Sequence, residues 1–458
     1  MSELKKKSRF IDLLLFSGNE TATTASFNLV SFFFILMMTD NLLLGAIGAG
    51  IIFSASRILD AFTDPLIGTL IDKTITKYGR YRPFILIGSV TLNLGILSIF
   101  GGFIHFQSDS LMYLWIIIWY IVYIIGYTFQ SACTRSAQTI ITNDQFQRPL
   151  LGALLSSFSY LFYGIFAIVA IPFVNSFPGG YSNPLGYRYL SLVVIGVNLV
   201  LTILAVIGLR TMDKKESYTK ILDAKKVTLK SMFSLIKRNG PLKALIIAAG
   251  TNKFAQLITS TSMVMFFTYT VRDIAAQKIV ASWGLLFGII GVLVGLVVAS
   301  LFDRKKSFLL GTYLGLLFPI VIIIIRPFSP ELEWLFLGLL VAIIFATAVA
   351  SSNVLPLIAD VADYEYYVNK QYIPSVVGTT FSLVDKLMSS LSGVILAAVL
   401  TYIGYTAGMD PTSRAFWGFF AMVIIIPALG HLASILAFRF YPITKTFYHQ
   451  MIIDKDKA

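Results

Sequence analysis

Apolar runs long enough to cross a hydrocarbon core of roughly 30 Å as helices recur along almost the whole of this chain. Lipid is therefore the solvent in which it folds, and a soluble architecture is excluded. Composition agrees: 57% of the 458 residues are hydrophobic and 13% charged, against about 45–50% and about 25% in ordinary globular chains. The mean hydropathy is +0.80. The formal net charge of +13 does not indicate nucleic acid. Its Lys and Arg residues concentrate between alternate apolar runs, which is the positive-inside pattern of basic loops facing anionic headgroups, and no soluble domain is visible to carry a nucleic-acid patch. The only cysteine, Cys133, lies in an apolar run, so neither a disulfide framework nor a thiolate metal site can be built. His105, His431 and His449 form no spaced cluster, so no metal site is expected beyond a bound Na⁺. The basic start of the chain runs into a span with no small-residue cleavage site, which reads as no removable signal.

The run lengths predict helices near 11–38, 42–71, 82–104, 111–142, 149–174 and 187–209, then near 241–271, 275–301, 306–326, 332–358, 374–404 and 413–441. The expected fold is an all-α membrane protein of twelve transmembrane helices in two six-helix halves, 1–209 and 241–441. A basic cytoplasmic linker, 210–240, joins them and a cytoplasmic tail, 442–458, follows. The basic loops at 73–82, 143–148 and 303–306 fall on one side with the linker, while those at 108–110 and 327–333 are poor in positive charge. Both termini are thus expected in the cytoplasm, in a cell (inner) membrane. The halves also echo one another. Residues 68–82, GTLIDKTITKYGRYR, end the second helix with Gly, Asp and then basic residues, and residues 295–306, GLVVASLFDRKK, do so at the eighth. Such a repeat is the internal symmetry of the major facilitator fold, with its binding site near the bilayer midplane. The glycines are expected to let helices approach closely, and Asp72 with Arg80 to latch helix ends as gating groups.

An ionised group at mid-helix costs about 2.5–3.5 kcal/mol on insertion scales and needs a reason. The second helix has Arg57, Asp60 and Asp64. The two acids are one turn apart on one face, and like charges so placed either retain a proton or hold a monovalent cation between them. Pro65 removes a backbone donor beside them and is expected to free carbonyl oxygens. The simpler alternative is that Arg57 pairs with one acid for packing. On the fourth helix Tyr127, Thr128, Ser131 and Arg135 share a face. Thr128 and Ser131 offer oxygens to a cation, or else serve as interhelical glue. Arg135 either pairs with a carboxylate of the protein or waits for one on the solute. Lys386, beside Asp385 and between Ser382 and Ser389, either stands in for the cation or pairs locally. Asn252 and Lys253 form a weaker polar candidate, since Lys253 can snorkel.

Residues 57–83, RILDAFTDPLIGTLIDKTITKYGRYRP, resemble the signature of the glycoside-pentoside-hexuronide:cation symporters, the melibiose permease-like group of the major facilitator superfamily. Residues 359–386, ADVADYEYYVNKQYIPSVVGTTFSLVDK, are similar to that family's tenth-to-eleventh loop and lysine-bearing helix. Thr39 with Asp40 and Asp144 with Arg148 match further positions. By position the resemblance implies cation-binding acids at Asp60 and Asp64, a tyrosine and cation-site threonine at Tyr127 and Thr128, and the functional lysine at Lys386. It also implies coupling or gating roles around Arg57, Arg148, Asp360 and Asp363. Where the melibiose-type pattern has acids and a tryptophan for sugar, this chain has Thr24, Ser131 and Arg135, with Ser156 where that pattern has an arginine. A grip of carboxylates on sugar hydroxyls is largely missing. The exchange of acids for an arginine suggests an anionic solute such as a uronide.

The expectation is a monomeric carrier of a sugar, glycoside or uronide, coupled to Na⁺ or H⁺ by alternating access, with no cofactor, no nucleic acid, and the bilayer, a small polar solute and the cation as its partners. Two rivals stand: a carrier of a non-sugar or lipid-like solute, favoured by a cavity lined with Phe and Met, and a non-transporting membrane sensor. The hydroxyls and histidines make no nucleophile-base-orienter set, so an enzyme is excluded.

Overall fold

The computed structural model describes residues 8–102, 106, 108–141, 147–214, 229–325, 333–370, 374–406, 412–448 and 450–451. The side chains of Asp72, Thr139, Arg148, Ser156, Lys230, Ser375 and several apolar residues within the helices also lie outside the description. The chain forms two compact units, one of residues 1–225 with 406–408 and the other of residues 226–405 with 409–458.

The first unit contains α1 (Phe10–Leu36), α2 (Ala46–Lys73), α3 (Tyr81–Phe100), α4 (Asp109–Ile141), α5 (Gln147–Asn175) and α6 (Pro184–Leu209). The second contains α7 (Leu229–Arg238), α8 (Gly240–Met265), α9 (Ile274–Leu301), α10 (Arg304–Ile325), α11 (Glu333–Ser351), α12 (Val354–Asn369), α13 (Pro374–Ile403), α14 (Ser413–Phe420) and α15 (Ile426–Phe438). Among the described residues, eleven helices are long and apolar enough to span a membrane. The twelfth expected span is α8, extended by a π-helical turn, Phe266–Val271. It is long enough, but Thr251, Asn252, Lys253, Gln256 and Ser260 keep its hydropathy low. A second π-helical turn, Met37–Asn41, ends α1, so the first helix of each set finishes in the same way.

Exposed and buried sides separate along α2. Ile58, Phe62, Leu66 and Leu70, each four apart, are exposed apolar residues. Arg57 and Asp60 lie on the opposite side at 3.6 residues per turn and are buried. Helices α3 and α4 approach so closely at Gly126 that an added β-carbon would lie 2.3 Å from the Leu92 amide nitrogen. Glycine behaves as expected at Gly295, where a β-carbon would meet Ser352 and Val349, but not at Gly68, where it would meet nothing within 4 Å. Gly68, one turn beyond Asp64 on the same side of α2, therefore mediates no close helix contact within the described residues.

Buried polar nodes tie corresponding helices in both units. In the first, Asn198 of α6 donates to the Ala22 carbonyl at 3.0 Å and accepts from Ser89 at 2.6 Å and Asn93 at 3.0 Å. In the second, His431 of α15 meets Asn252 of α8 at 2.6 Å, and Asn252 donates to Thr312 of α10 at 3.1 Å. Both nodes join the first, third and sixth long helices of their unit. An unmet polar group is expensive in such a setting, so each node fixes a helix register.

One sequence expectation is corrected by the helix bounds of the second unit. Asp360 and Asp363 are not in a loop but on α12, because the run read as one helix over 332–358 breaks after Ser351 and resumes to Asn369. The basic linker contains the amphipathic helix α7, with Met232 and Leu235 buried.

Candidate cation and solute site

The site is built on α2 and α4 of the first unit. Helix α2 runs unbroken through Pro65, which has no N–H to give the carbonyl four residues earlier. What completes the site is a set of hydroxyls. Thr128 Oγ1 donates to Asp60 Oδ1 at 2.7 Å. Thr63 Oγ1, one turn beyond Asp60, donates to the Asp60 carbonyl at 3.2 Å and lies 3.3 Å from Thr128 Oγ1. Oxygens from Asp60, Thr63 and Thr128 thus converge, and they are the hard ligands that a monovalent alkali cation or a proton requires. Thr63 escaped the sequence reading because its neighbours Asp60 and Asp64 carry the stronger signal.

Asp64 meets a different partner. Arg135 Nη1 donates to Asp64 Oδ2 at 3.3 Å, with half of the arginine side chain and 16% of the aspartate accessible. Among the described residues Arg57 forms no ion pair within 4 Å with either acid, though it interacts electrostatically with Asp60. Its guanidinium lies 4.5 Å from the centroid of Phe27 and 5.2 Å from that of Phe53, and its Nε and Nη2 make no hydrogen bond. The packing ion pair offered as an alternative for Arg57 is replaced by two aromatic faces, which hold the charge through their quadrupoles.

The remaining candidates divide. Tyr127 packs against Phe27 and Tyr123, each at 6.1 Å between ring centroids, which places it on the wall between Arg57 and Arg135. Ser131 is buried and donates to the Thr128 carbonyl of its own helix at 3.3 Å, so its hydroxyl is not directed at Asp60. Thr24 donates to Ser159 of α5 at 3.2 Å. Lys386 is half-buried on α13 and belongs to the second unit. The side chains of Ser156, Asp72 and Arg148 lie outside the described residues.

The gating candidates resolve into capped junctions. Arg80 is buried, and its backbone N–H donates to Asp213 at 2.8 Å, followed by those of Tyr81 at 2.9 Å and Arg82 at 2.8 Å. Asp213, fully buried and read from sequence only as part of the linker, therefore holds the N-terminus of α3, where a carboxylate is favoured by the free amides and the helix dipole. Gly79, at φ +102°, makes room for it. In the second unit Asp303 does the equivalent work: it accepts from the Lys305 amide at 2.7 Å and the Lys445 amide at 2.9 Å. Asp360 pairs with Arg304, and Asp363 accepts from the Tyr448 hydroxyl at 3.1 Å.

A profile of the family described as MFS/sugar transport protein matches residues 16–445. The chain belongs to the MFS/sugar transport protein family. It is 24% identical over 450 residues to the glucuronide carrier protein homolog of Escherichia coli (strain K12), covering 96% of this chain and 94% of that one. To the isoprimeverose transporter of Lactiplantibacillus pentosus it is 22% identical over 432 residues, covering 94% and 88%. In fold it is similar to the crystal structure of a D-xylose-proton symporter, with a TM-score of 0.62 at 14% identity over 95% of this chain and 97% of that one. As an MFS/sugar transport protein it is a multi-pass membrane transporter of a small solute, and not an enzyme. The membership agrees with the resemblance carried by residues 57–83.

Proposed function

We propose that this transporter is a cation-coupled symporter of an anionic sugar, a uronide or a sugar of like charge, and that the coupling passes through Arg135. The observation that carries the reading is the contact of Arg135 with Asp64. A guanidinium is a planar fork that suits a carboxylate on either side. A monovalent cation held by Asp60, Thr63, Thr128 and Asp64 competes with Arg135 for Asp64 and turns the fork toward the solute. A solute carboxylate that engages Arg135 likewise leaves Asp64 to the cation. Each ligand then favours the other, as linkage requires.

The relative whose name is glucuronide carrier protein homolog supports a solute of this class. The side chains gathered at the site are charged or hydroxylic, which does not favour the lipid-like carrier. In this reading the protein works as a monomer in the inner membrane with both termini cytoplasmic, by alternating access.

The test is uptake into proteoliposomes of a panel of uronides, pentosides and neutral glycosides, with and without inward sodium or proton gradients, for wild type and Arg135→Gln. Uronide uptake should be preferred and cation-driven, and Arg135→Gln should weaken it by about tenfold or more, the worth of a charged hydrogen bond. Preference for neutral glycosides with Arg135→Gln harmless would overturn the anionic assignment.

A further inference from the structure

We propose that Glu20 of α1 is a third carboxylate of the cation site and supplies the negative charge in excess that draws a cation into it. The inference rests on the symport reading above.

The argument begins with the balance of charge. Away from their ends, α1, α2 and α4 carry five ionisable acid and arginine side chains: Glu20, Arg57, Asp60, Asp64 and Arg135. Without Glu20, two acids face two arginines and the group is neutral, so a cation entering it would have to displace a charge the protein already provides. With Glu20 ionised, one negative charge remains over, and a single monovalent cation or proton neutralises it. In a medium of low dielectric that difference governs whether a cation binds at all.

The geometry places Glu20 with this group. Its neighbour Asn19 donates to the Gln130 carbonyl at 3.1 Å and to Thr134 Oγ1 at 2.6 Å, which pins this turn of α1 against α4 one residue before Arg135. Glu20, Thr24 and Phe27 follow at helical spacing on one side of α1, and Phe27 lies under Arg57 and against Tyr127. Glu20 interacts electrostatically with Arg135 and Tyr127. It is half-buried and makes no hydrogen bond or ion pair of its own among the described residues. On the elements packed against α1, the other ionisable groups at mid-span are Arg57, Asp60 and Asp64 on α2, Tyr120, Tyr123, Tyr127, Cys133 and Arg135 on α4, and Tyr160 and Tyr163 on α5.

The plain alternative is a surface acid that reaches the headgroups. Glu20 lies ten residues beyond the first residue of α1, about 15 Å along the axis, and a two-carbon stem does not cover that distance. A carboxylate kept at that depth is costly to insert and has a task.

The experiment measures cation retention by the purified full-length protein, as radioactive sodium bound and as protons taken up in sodium-free buffer. Wild type, Glu20→Gln and the double variant Glu20→Gln with Arg135→Gln are compared. Glu20→Gln should weaken cation affinity by about tenfold or more, since one unit charge is lost at close range. The double variant removes one acid and one arginine together, restores the excess charge, and should regain most of the affinity. Wild-type affinity in Glu20→Gln, or a double variant as weak as the single one, overturns the proposal and leaves the symport reading standing. A wild-type protein that retains neither sodium nor protons overturns both.

Discussion

The guanidinium of Arg135 lies 3.3 Å from the carboxylate of Asp64, so the protein places a tethered cation of its own on one of the two acids of α2. The other acid, Asp60, is met by the hydroxyl of Thr128 at 2.7 Å. Two carboxylates one helical turn apart thus have unlike partners: one is dressed with oxygens, the other is held by a charge that must be exchanged. This asymmetry is the physical basis of the coupling proposed above.

Replacing Asp64 with Asn removes the exchange. Arg135 then faces the solute whether or not a cation is present. Binding of a uronide to Asp64→Asn should be retained but should no longer respond to sodium or protons, and uphill uptake should be lost. Titration calorimetry of the purified variant at two cation concentrations checks this; an unchanged cation response would remove Asp64 from the role.

The hydroxyls predict a graded effect. Thr128→Val deletes a hydrogen bond to a carboxylate, worth about 1.5–3 kcal/mol, and should raise the cation concentration for half-maximal uptake by about tenfold or more. Thr63→Val, whose hydroxyl is 3.3 Å from that of Thr128 and donates only to the Asp60 carbonyl, should act in the same direction but more weakly. Cation-activation curves in vesicles distinguish the two.

Stability should depend on Asp213 more than on any residue of the basic linker. It is fully buried and accepts the amides of Arg80, Tyr81 and Arg82. Asp213→Ala leaves these amides unmet and should cost about 3 kcal/mol or more. A lowered melting temperature in detergent is the expected readout.

A second buried acid anchors the linker helix. Glu365 of α12 receives Arg238 at 2.6 Å, Asn239 at 2.9 Å and Asn369 at 3.1 Å. Glu365→Ala strands Arg238 and should free the end of α7. Limited trypsin digestion should then cut after Lys237 or Arg238 much faster than in wild type.

Much of this was legible in the sequence, since span lengths follow from hydropathy alone and most helix ends agree within a few residues. Asp60 and Asp64 are legible because paired acids inside an apolar run need a reason, whereas for Thr128 and Arg135 the sequence leaves interhelical glue or a protein ion pair open beside the binding role. The partners of Arg57 were not legible: Phe27 and Phe53 look like any lipid-facing aromatics until α1 and α2 are packed. Glu20 was overlooked for the opposite reason, as it stands alone on α1 with no helical-spacing partner among acids. Asp213 is hidden by the surrounding lysines, whose charge makes the segment read only as a basic linker. The break that puts Asp360 and Asp363 on α12 has no glycine or proline at Ser352 or Asn353 to announce it.

The account turns on a cation held at Asp60 that drives accumulation of an anionic sugar. The most direct test is uphill accumulation of a glucuronide in proteoliposomes under an inward sodium or proton gradient, compared between wild type and Asp60→Asn. Gradient-driven accumulation by wild type, lost in Asp60→Asn while downhill exchange of the same solute persists, is the predicted result; accumulation that ignores the gradient, or that survives in Asp60→Asn, would contradict it.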